Sequence, residues 1–264
     1  MSTKQKVRRA LAEYEASKVA PPTVAVGFIY GQDVAAGFCT SLSAMLWAQG
    51  SRRDHRIVVD VLAESSGVNI SAGRNEIMRR FLRDTTADYL LIIDADMTFA
   101  PDLPDALLAC ANADPESEHF APIVGGLCFG IDKGKLFPTL YGFMPDGDGV
   151  KTVRYETFPR DTMFQVGATG AACLLIHRSV VEKVGGEKFN AVYPWFQETE
   201  LGGERCGEDV TFCLRAARCG FPIYVHTGVP VGHQKTQVLN IDAYREQRGH
   251  AGLKADVDPV PQEV

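Results

Sequence analysis

The sequence predicts an α/β protein, a mixed but mostly parallel sheet flanked by helices within a single domain. Two observations carry that expectation. Over the first 110 residues, β-rich runs alternate with segments of helical spacing in the order β-α-β-α-β-α. The third of these strands, "DYLLIID" (88–94), is apolar on both faces, as a parallel strand covered by helices on each side must be. A chain of 264 residues is also long enough to bury one substantial core.

Taken in order, residues 4–19 read as a short charged helix with Val7, Leu11 and Tyr14 on one side and Pro21-Pro22 closing it, so residues 1–20 form an N-terminal helical extension. "TVAVGFIY" (23–30) is a β-rich run ending at Gly31, and "VAAGFCTSLSAMLWAQ" after it has helical spacing. "HRIVVDVLAE" (55–64) is a second strand. "SAGRNEIMRRFLRDT" (71–85) is a helix with Ser71 as N-cap. After the third strand, Pro101 and Asp102 open the helix "PDLPDALLACANA". The regularity then breaks. "PIVGGLCFG" (122–130) is a glycine-interrupted strand, and 131–162 reads as a loop-rich excursion with "PDGDG" as a turn. "GAACLLIHRSVVEKVGG" (170–186) gives a strand and a short helix. "GEDVTFCLRAARCG" (207–220) is a helix with Val210, Cys213, Leu214 and Ala217 on one face and Gly220 as C-cap. "FPIYVHTGVPVGH" (221–233) is the final strand. The main domain is expected over 21–240, and the polar tail 241–264 is expected to be flexible.

Composition excludes several classes of function. Apolar residues at 45% and charged residues at 23% are ordinary for a globular protein. A net charge of −6 supplies no basic footprint for duplex DNA or an anionic membrane. No run reaches the roughly 18–20 apolar residues of a membrane span, and the charged start lacks the apolar stretch of a secretory signal. Seven scattered cysteines without a C-x-x-C pair point to reduced thiols, hence to a cytoplasmic protein, and leave the sequon Asn69-Ile70-Ser71 accidental.

The chemistry centres on "YLLIIDADMTFAPD" (89–102). Ligands of open α/β sheets bind beyond the carboxyl ends of the strands, and Asp94 and Asp96 sit at such an end. In extended chain their i, i+2 spacing points both side chains the same way. Two carboxylates facing one crevice repel unless something positive lies between them, and a hard divalent cation carrying phosphates is a natural solution. The competing reading is a capping turn, since the same residues lead into a helix.

Three blocks carry a resemblance. "GVNISAGRNEIMRRFLRDTTADYLLIIDADMTFAPD", "VGATGAACLLIHRSVVEKVGG" and "GEDVTFCLRAARCGFPIYVHTGVPVGH" resemble, in order and across roughly residues 23–235, the conserved segments of family-2-like glycosyltransferases of the GT-A (Rossmann-like) fold; compact single-domain versions from bacteriophage genomes look most similar. The resemblance implies a nucleotide-diphosphate sugar donor, a divalent cation (Mn²⁺ or Mg²⁺) and a location in the cytoplasm of a bacterial host. It makes Asp96 the main metal carboxylate and His233 a further metal ligand. Asp94 would contact the ribose or the metal's water shell, and Arg74 the nucleotide or diphosphate. Asp209 matches the general base of inverting members, with Glu208 as runner-up; both also suit the first turn of a helix on electrostatic grounds alone. Tyr30 is placed to stack on the base. Glu64 stands where members carry an acid that reads a uracil edge, as for a UDP-sugar, although "VLAESSG" departs from their usual pattern and leaves the base open. Gly125, Gly126 and Gly170 would admit the donor sugar close to the backbone. Trp195 and Phe196 in "YPWFQE" offer either an aromatic face for an acceptor or a core pair.

Two rival readings stand beside this one. A sugar nucleotidyltransferase on a related sheet would usually need a basic, glycine-rich loop after the first strand, and "FIYGQDVAAG" has no lysine or arginine. The other is a non-catalytic binding or structural module of the same fold. A protein, glycan or small-molecule acceptor suits the acidic composition better than DNA. Donor sugar, stereochemical outcome and oligomeric state are left open.

Overall fold

The computed structural model of the chain describes residues 22–52, 57–67, 69–111, 120–132, 134–146, 149–187 and 189–235. The expected N-terminal helix and the C-terminal tail lie outside these residues. Residues up to Gln234 belong to one compact unit, and Lys235–Val264 to a separate one of which only Lys235 is described.

The first half follows the predicted alternation: β1 (Val24–Tyr30), α1 (Ala36–Gly50), β2 (Val58–Ser65), α2 (Ile70–Asp84), β3 (Tyr89–Ile93), the two-residue β4 (Met97–Thr98) and α3 (Leu103–Ala111). The second half contains β5 (Ile123–Leu127), β6 (Phe129–Asp132), β7 (Lys135–Pro138), β8 (Leu140–Asp146), β9 (Gly149–Arg154), β10 (Met163–Val166), β11 (Ala168–Thr169), β12 (Cys173–His177), α4 (Arg178–Gly186), β13 (Thr199–Leu201), β14 (Glu204–Cys206), α5 (Glu208–Arg218), β15 (Ile223–Pro230) and β16 (Gly232–His233).

Seven strands form the central sheet in the order β10-β15-β5-β12-β3-β1-β2. β2, β1, β3, β5 and β15 run one way, while β12 and β10 run against them. The sheet is therefore mixed and mostly parallel, as the sequence predicts. β3 is buried along its whole length. Its Leu90 and Ile92 pack with Ile77 and Phe81 of α2, Val180 and Val184 of α4, and Phe212 of α5. Leu91 and Ile93 face the other layer, with Phe38 and Met45 of α1 and Leu107 of α3. This two-sided burial is what removes the polar alternation from the β3 sequence. Among the described residues no helix is long and apolar enough to cross a membrane.

Three local expectations are corrected. α2 is capped by Asn69, whose side chain accepts the Ala72 N–H at 3.0 Å, rather than by Ser71, which lies inside the first turn. On α5 the buried stripe is Val210, Cys213 and Ala216, widened by Phe212, whereas Ala217 is exposed; three residues per step keep the stripe over the sheet. The helix ends at Arg218, and Gly220 takes the left-handed φ of +89° that its position after the C-cap requires. The excursion 131–162 is largely antiparallel hairpin rather than loop. β6 pairs with β7, and β8 with β9 from Tyr141↔Arg154 to Asp146↔Gly149. These strands bury little, so their sequence lacks a clear apolar alternation.

Candidate active site

The chain turns sharply as it leaves β3. The Asp94 N–H donates to the Ala172 carbonyl at 3.1 Å, holding the strand end against the residues before β12, and the Met97 N–H closes back on the Asp94 carbonyl at 3.1 Å. Residues 94–97 are therefore a turn, and the extended-chain expectation that Asp94 and Asp96 point the same way is corrected. Their carboxylates go to different partners.

Asp96 meets His233. β4 pairs with β16, setting Met97 opposite His233, and the Gln234 N–H donates to the Asp96 carbonyl at 2.8 Å. The His233 Nε2 then lies 3.0 Å from Asp96 Oδ2, while Nδ1 lies 2.9 Å from the Phe129 carbonyl oxygen. A carbonyl only accepts, so Nδ1 carries the hydrogen. In the neutral ring Nε2 thus presents its lone pair toward the carboxylate; a second proton on the ring makes the contact an ion pair, and a bound cation would take the place of that proton.

Asp94 meets Arg74, one turn into α2 and buried. Nη2 of Arg74 donates to both Asp94 oxygens, at 2.7 and 3.0 Å, and Nη1 donates to Glu208. The guanidinium lies 5.6 Å from the centre of the Phe196 ring, and its Nε is buried with no hydrogen-bond partner. Burial opposes the charge, but Asp94, Glu208 and Asp209 outweigh it and hold the proton more tightly than in an ordinary arginine. In this arrangement Arg74 faces carboxylates at both Nη groups; it ties the turn after β3 to the start of α5.

Glu208 and Asp209 occupy the first turn of α5 after Gly207, where the helix dipole favours negative charge. Asp209 Oδ1 accepts the Val210 N–H at 2.7 Å. Burial, followed by the charge of Glu208, raises its pKa above the usual carboxylate value, with Arg74 pulling the other way. Gly170 sits over this carboxylate: a Cβ there would lie 3.6 Å from Asp209 Oδ2 and 3.2 Å from the Thr139 side chain.

The remaining sequence candidates are spread more widely. Tyr30 is half-buried at the end of β1. Glu64 on β2 is 3.1 Å from Arg80. Gly125 and Gly126 are buried in β5, where a Cβ would press on Val225 at 3.3 Å or on the Val229 carbonyl at 3.1 Å; neighbouring elements close over them. Trp195 and Phe196 are core residues, which settles that alternative against an acceptor face. Trp195 donates its indole N–H to the Val181 carbonyl at 2.8 Å, and Phe196 stacks on Phe212 at 4.7 Å.

Two residues escaped the sequence reading. Asn75 donates to the Phe196 carbonyl at 2.7 Å and accepts the Trp195 N–H at 3.1 Å. Arg215 donates to the carbonyls of Tyr193 and Pro194 and to Gln197 Oε1. Both are buried polar side chains on otherwise apolar helix faces, and that is the signal that marks them in sequence.

Among the described residues no group of three or more His, Cys, Asp or Glu gathers as a metal cage. The Asp96–His233 pair is a two-ligand set. One carboxylate and one imidazole are compatible with a first-row divalent cation, most of whose ligands would then come from elsewhere.

No protein-family model matches the chain, and no curated protein matches it in sequence. Solved structures share its fold. A197 from STIV superposes with a TM-score of 0.52 at 15% identity, over 81% of this chain and 86% of that one. GalNAc-T7, solved with UDP, GalNAc and Mn²⁺, gives a TM-score of 0.51 at 12% identity over 82% of this chain, which spans 44% of that protein's length. At these identities the likeness shows the fold alone, a GT-A-like, Rossmann-like α/β sheet.

Proposed function

We propose that the protein is a metal-dependent glycosyltransferase that moves a sugar from a nucleotide-diphosphate donor to a hydroxyl acceptor. The Asp96–His233 pair carries the reading. It lies just past the carboxyl end of β3, with the histidine tautomer fixed by the Phe129 carbonyl. Asp96 and His233 would hold Mn²⁺ or Mg²⁺, which supplies charge to bind the diphosphate and to offset the negative charge of the leaving group. A shared fold with GalNAc-T7, which was solved with UDP and Mn²⁺, supports a nucleoside diphosphate as ligand and makes UDP the first to try.

The chain's own residues supply the rest. Arg74 fixes the Asp94 carboxylate in one orientation, where its outer edge can receive a ribose hydroxyl, and keeps Glu208 from crowding the base. Tyr30 and Glu64, at the ends of β1 and β2, are candidates for the base of the nucleotide. Asp209 takes the acceptor's proton, and its burial makes it a stronger base than an exposed aspartate. As the acceptor oxygen bonds to the anomeric carbon, the bond from that carbon to the diphosphate oxygen breaks, and its electron pair leaves with the nucleoside diphosphate. Gly170 leaves room beside the carboxylate for the incoming hydroxyl.

The test is nucleoside-diphosphate release from a panel of nucleotide sugars with Mn²⁺, with and without candidate acceptors, comparing wild type and Asp209→Asn. Acceptor-stimulated release in the wild type alone is expected. Release that is equal in both proteins would remove Asp209 from the reaction.

A further inference from the structure

Between α4 and α5, residues 189–206 carry no regular structure beyond the β13–β14 hairpin, yet their backbone is fixed from the inside. Asn75 holds residues 195 and 196, and Arg215 holds 193, 194 and the Gln197 side chain. Burying two polar side chains to anchor a loop is costly unless their hydrogen bonds are complete, and a mere connection has no need of it. The result is a rigid wall.

That wall borders a cleft of about 560 Å³ whose other side is the start of α2, with Asn69 and Ser71, and whose inner end is Glu208. Asn69 reaches across to donate to the Tyr193 hydroxyl at 3.3 Å. A second hollow continues over the hairpin along Glu198, Thr199 and Glu200. A third, of about 330 Å³, is bounded by Tyr141, Thr152 and Arg154 of the β8–β9 hairpin and reaches Asp209. Arg205 lines all three, so they adjoin around its side chain as a trough beside the N-terminus of α5. Small-molecule sites are usually enclosed pockets of about 300–1,000 Å³; an open, branched trough suits a longer ligand.

The lining selects its chemistry. Amide, hydroxyl and phenol groups alternate with the carboxylates of Glu198, Glu200, Glu208 and Asp209, which repel an anionic ligand, and Ile70 is an exposed apolar side chain at the edge. Both arginines that line the trough already face carboxylates, Arg205 that of Glu198 and Arg154 that of Asp132, and Glu208 is held by Arg74. The trough therefore offers many hydrogen bonds but no uncommitted arginine for a phosphate or carboxylate, and no row of apolar pockets for peptide side chains. We infer that the acceptor is an uncharged oligosaccharide, lying along residues 193–206 with its reacting hydroxyl at Asp209. The inference rests on the transferase reading and narrows its acceptor.

The experiment separates the two. The 264-residue protein is applied to a broad glycan microarray, and hits are titrated by saturation-transfer NMR beside serine- and threonine-containing peptides. Nucleoside diphosphates with Mn²⁺ are followed in parallel by thermal melting. Variants are Arg205→Ala, which is exposed, and Gln197→Ala, each checked for an unchanged melting temperature without ligand. A neutral oligosaccharide is expected to bind and to weaken at least about tenfold in a variant, about 1.4 kcal/mol, with the nucleotide shift retained. Nucleotide binding without any glycan binding overturns the acceptor assignment and leaves the transferase. Peptide binding that the variants weaken overturns the saccharide class. Glycan binding that both variants leave untouched overturns the trough. Loss of nucleotide and glycan binding alike removes the transferase reading itself.

Discussion

Arg74→Leu is the perturbation whose cost follows most directly from the geometry. The guanidinium is buried and forks between Asp94 and Glu208. Removing one partner of a buried ion pair costs about 3–5 kcal/mol, chiefly because the opposite charge is left without compensation. The side chains of Asp94 and Glu208 are 26% and 18% exposed, so water regains part of each carboxylate. This favours the lower end, about 3 kcal/mol. In a domain of this size 1 kcal/mol shifts Tm by about 2–4 °C, giving a fall of about 6–12 °C. Urea unfolding followed by circular dichroism, with matched thermal melts, measures it. Arg74→Lys should fall between wild type and leucine, because an ammonium cannot fork between two carboxylates. Adding Asp94→Asn and Glu208→Gln to the leucine variant should recover stability, since the stranded charges are gone. A loss below about 1 kcal/mol, the size of an exposed pair, would refute the reasoning and make Arg74 a surface-like residue.

Asp209→Asn should raise stability at neutral pH while abolishing transfer. The folded state raises the Asp209 pKa, so it binds that proton more tightly than the unfolded chain. Wild-type stability relative to the variant is therefore best below the ordinary carboxylate pKa and is lost as pH rises through the folded value. Melts of both proteins across the acid range should diverge with rising pH and then run parallel; a constant gap contradicts this. His233→Ala should leave the fold intact and weaken the Mn²⁺-dependent nucleotide shift at least about tenfold, about 1.4 kcal/mol, read by Mn²⁺ titration at fixed nucleotide. Asn75→Ala strands the buried Trp195 N–H and Phe196 carbonyl and should cost about 1–3 kcal/mol in urea unfolding; a change within about 0.5 kcal/mol would show the loop to be held by other means.

Much of the fold was legible because burial writes itself into sequence. β3 reads as an apolar run since helices cover both its faces, and α5 reads as a helix, although Phe212 and Ala216 rather than Leu214 and Ala217 complete its buried side. The hairpins β6–β9 were not legible, since strands that bury little need no alternation. Asn69 outcompeted Ser71 as a cap two residues away, a choice that local composition leaves open. At the site, the partnerships of the candidate residues were not readable in the sequence. The divergence of Asp94 and Asp96 follows from a turn held by backbone hydrogen bonds to Met97, Ala172 and Gln234, two of them distant in sequence. The Arg74–Glu208 contact joins residues 134 apart, and Asp96–His233 residues 137 apart. Trp195 and Phe196 illustrate the opposite limit: an aromatic pair looks the same in sequence whether it faces a ligand or the core.

In the proposed function a nucleoside diphosphate meets Asp96 and His233 through a cation. Thermal melting of wild type and Asp96→Asn with a panel of nucleoside diphosphates, each with Mn²⁺ and with a chelator, tests it most directly. A ligand at one hundred times its Kd adds about 2.7 kcal/mol, or about 5–11 °C. The account predicts that at least one diphosphate gives such a shift only with Mn²⁺ and only in the wild type. Shifts that persist in the chelator or in Asp96→Asn, or no shift with any diphosphate, would contradict it.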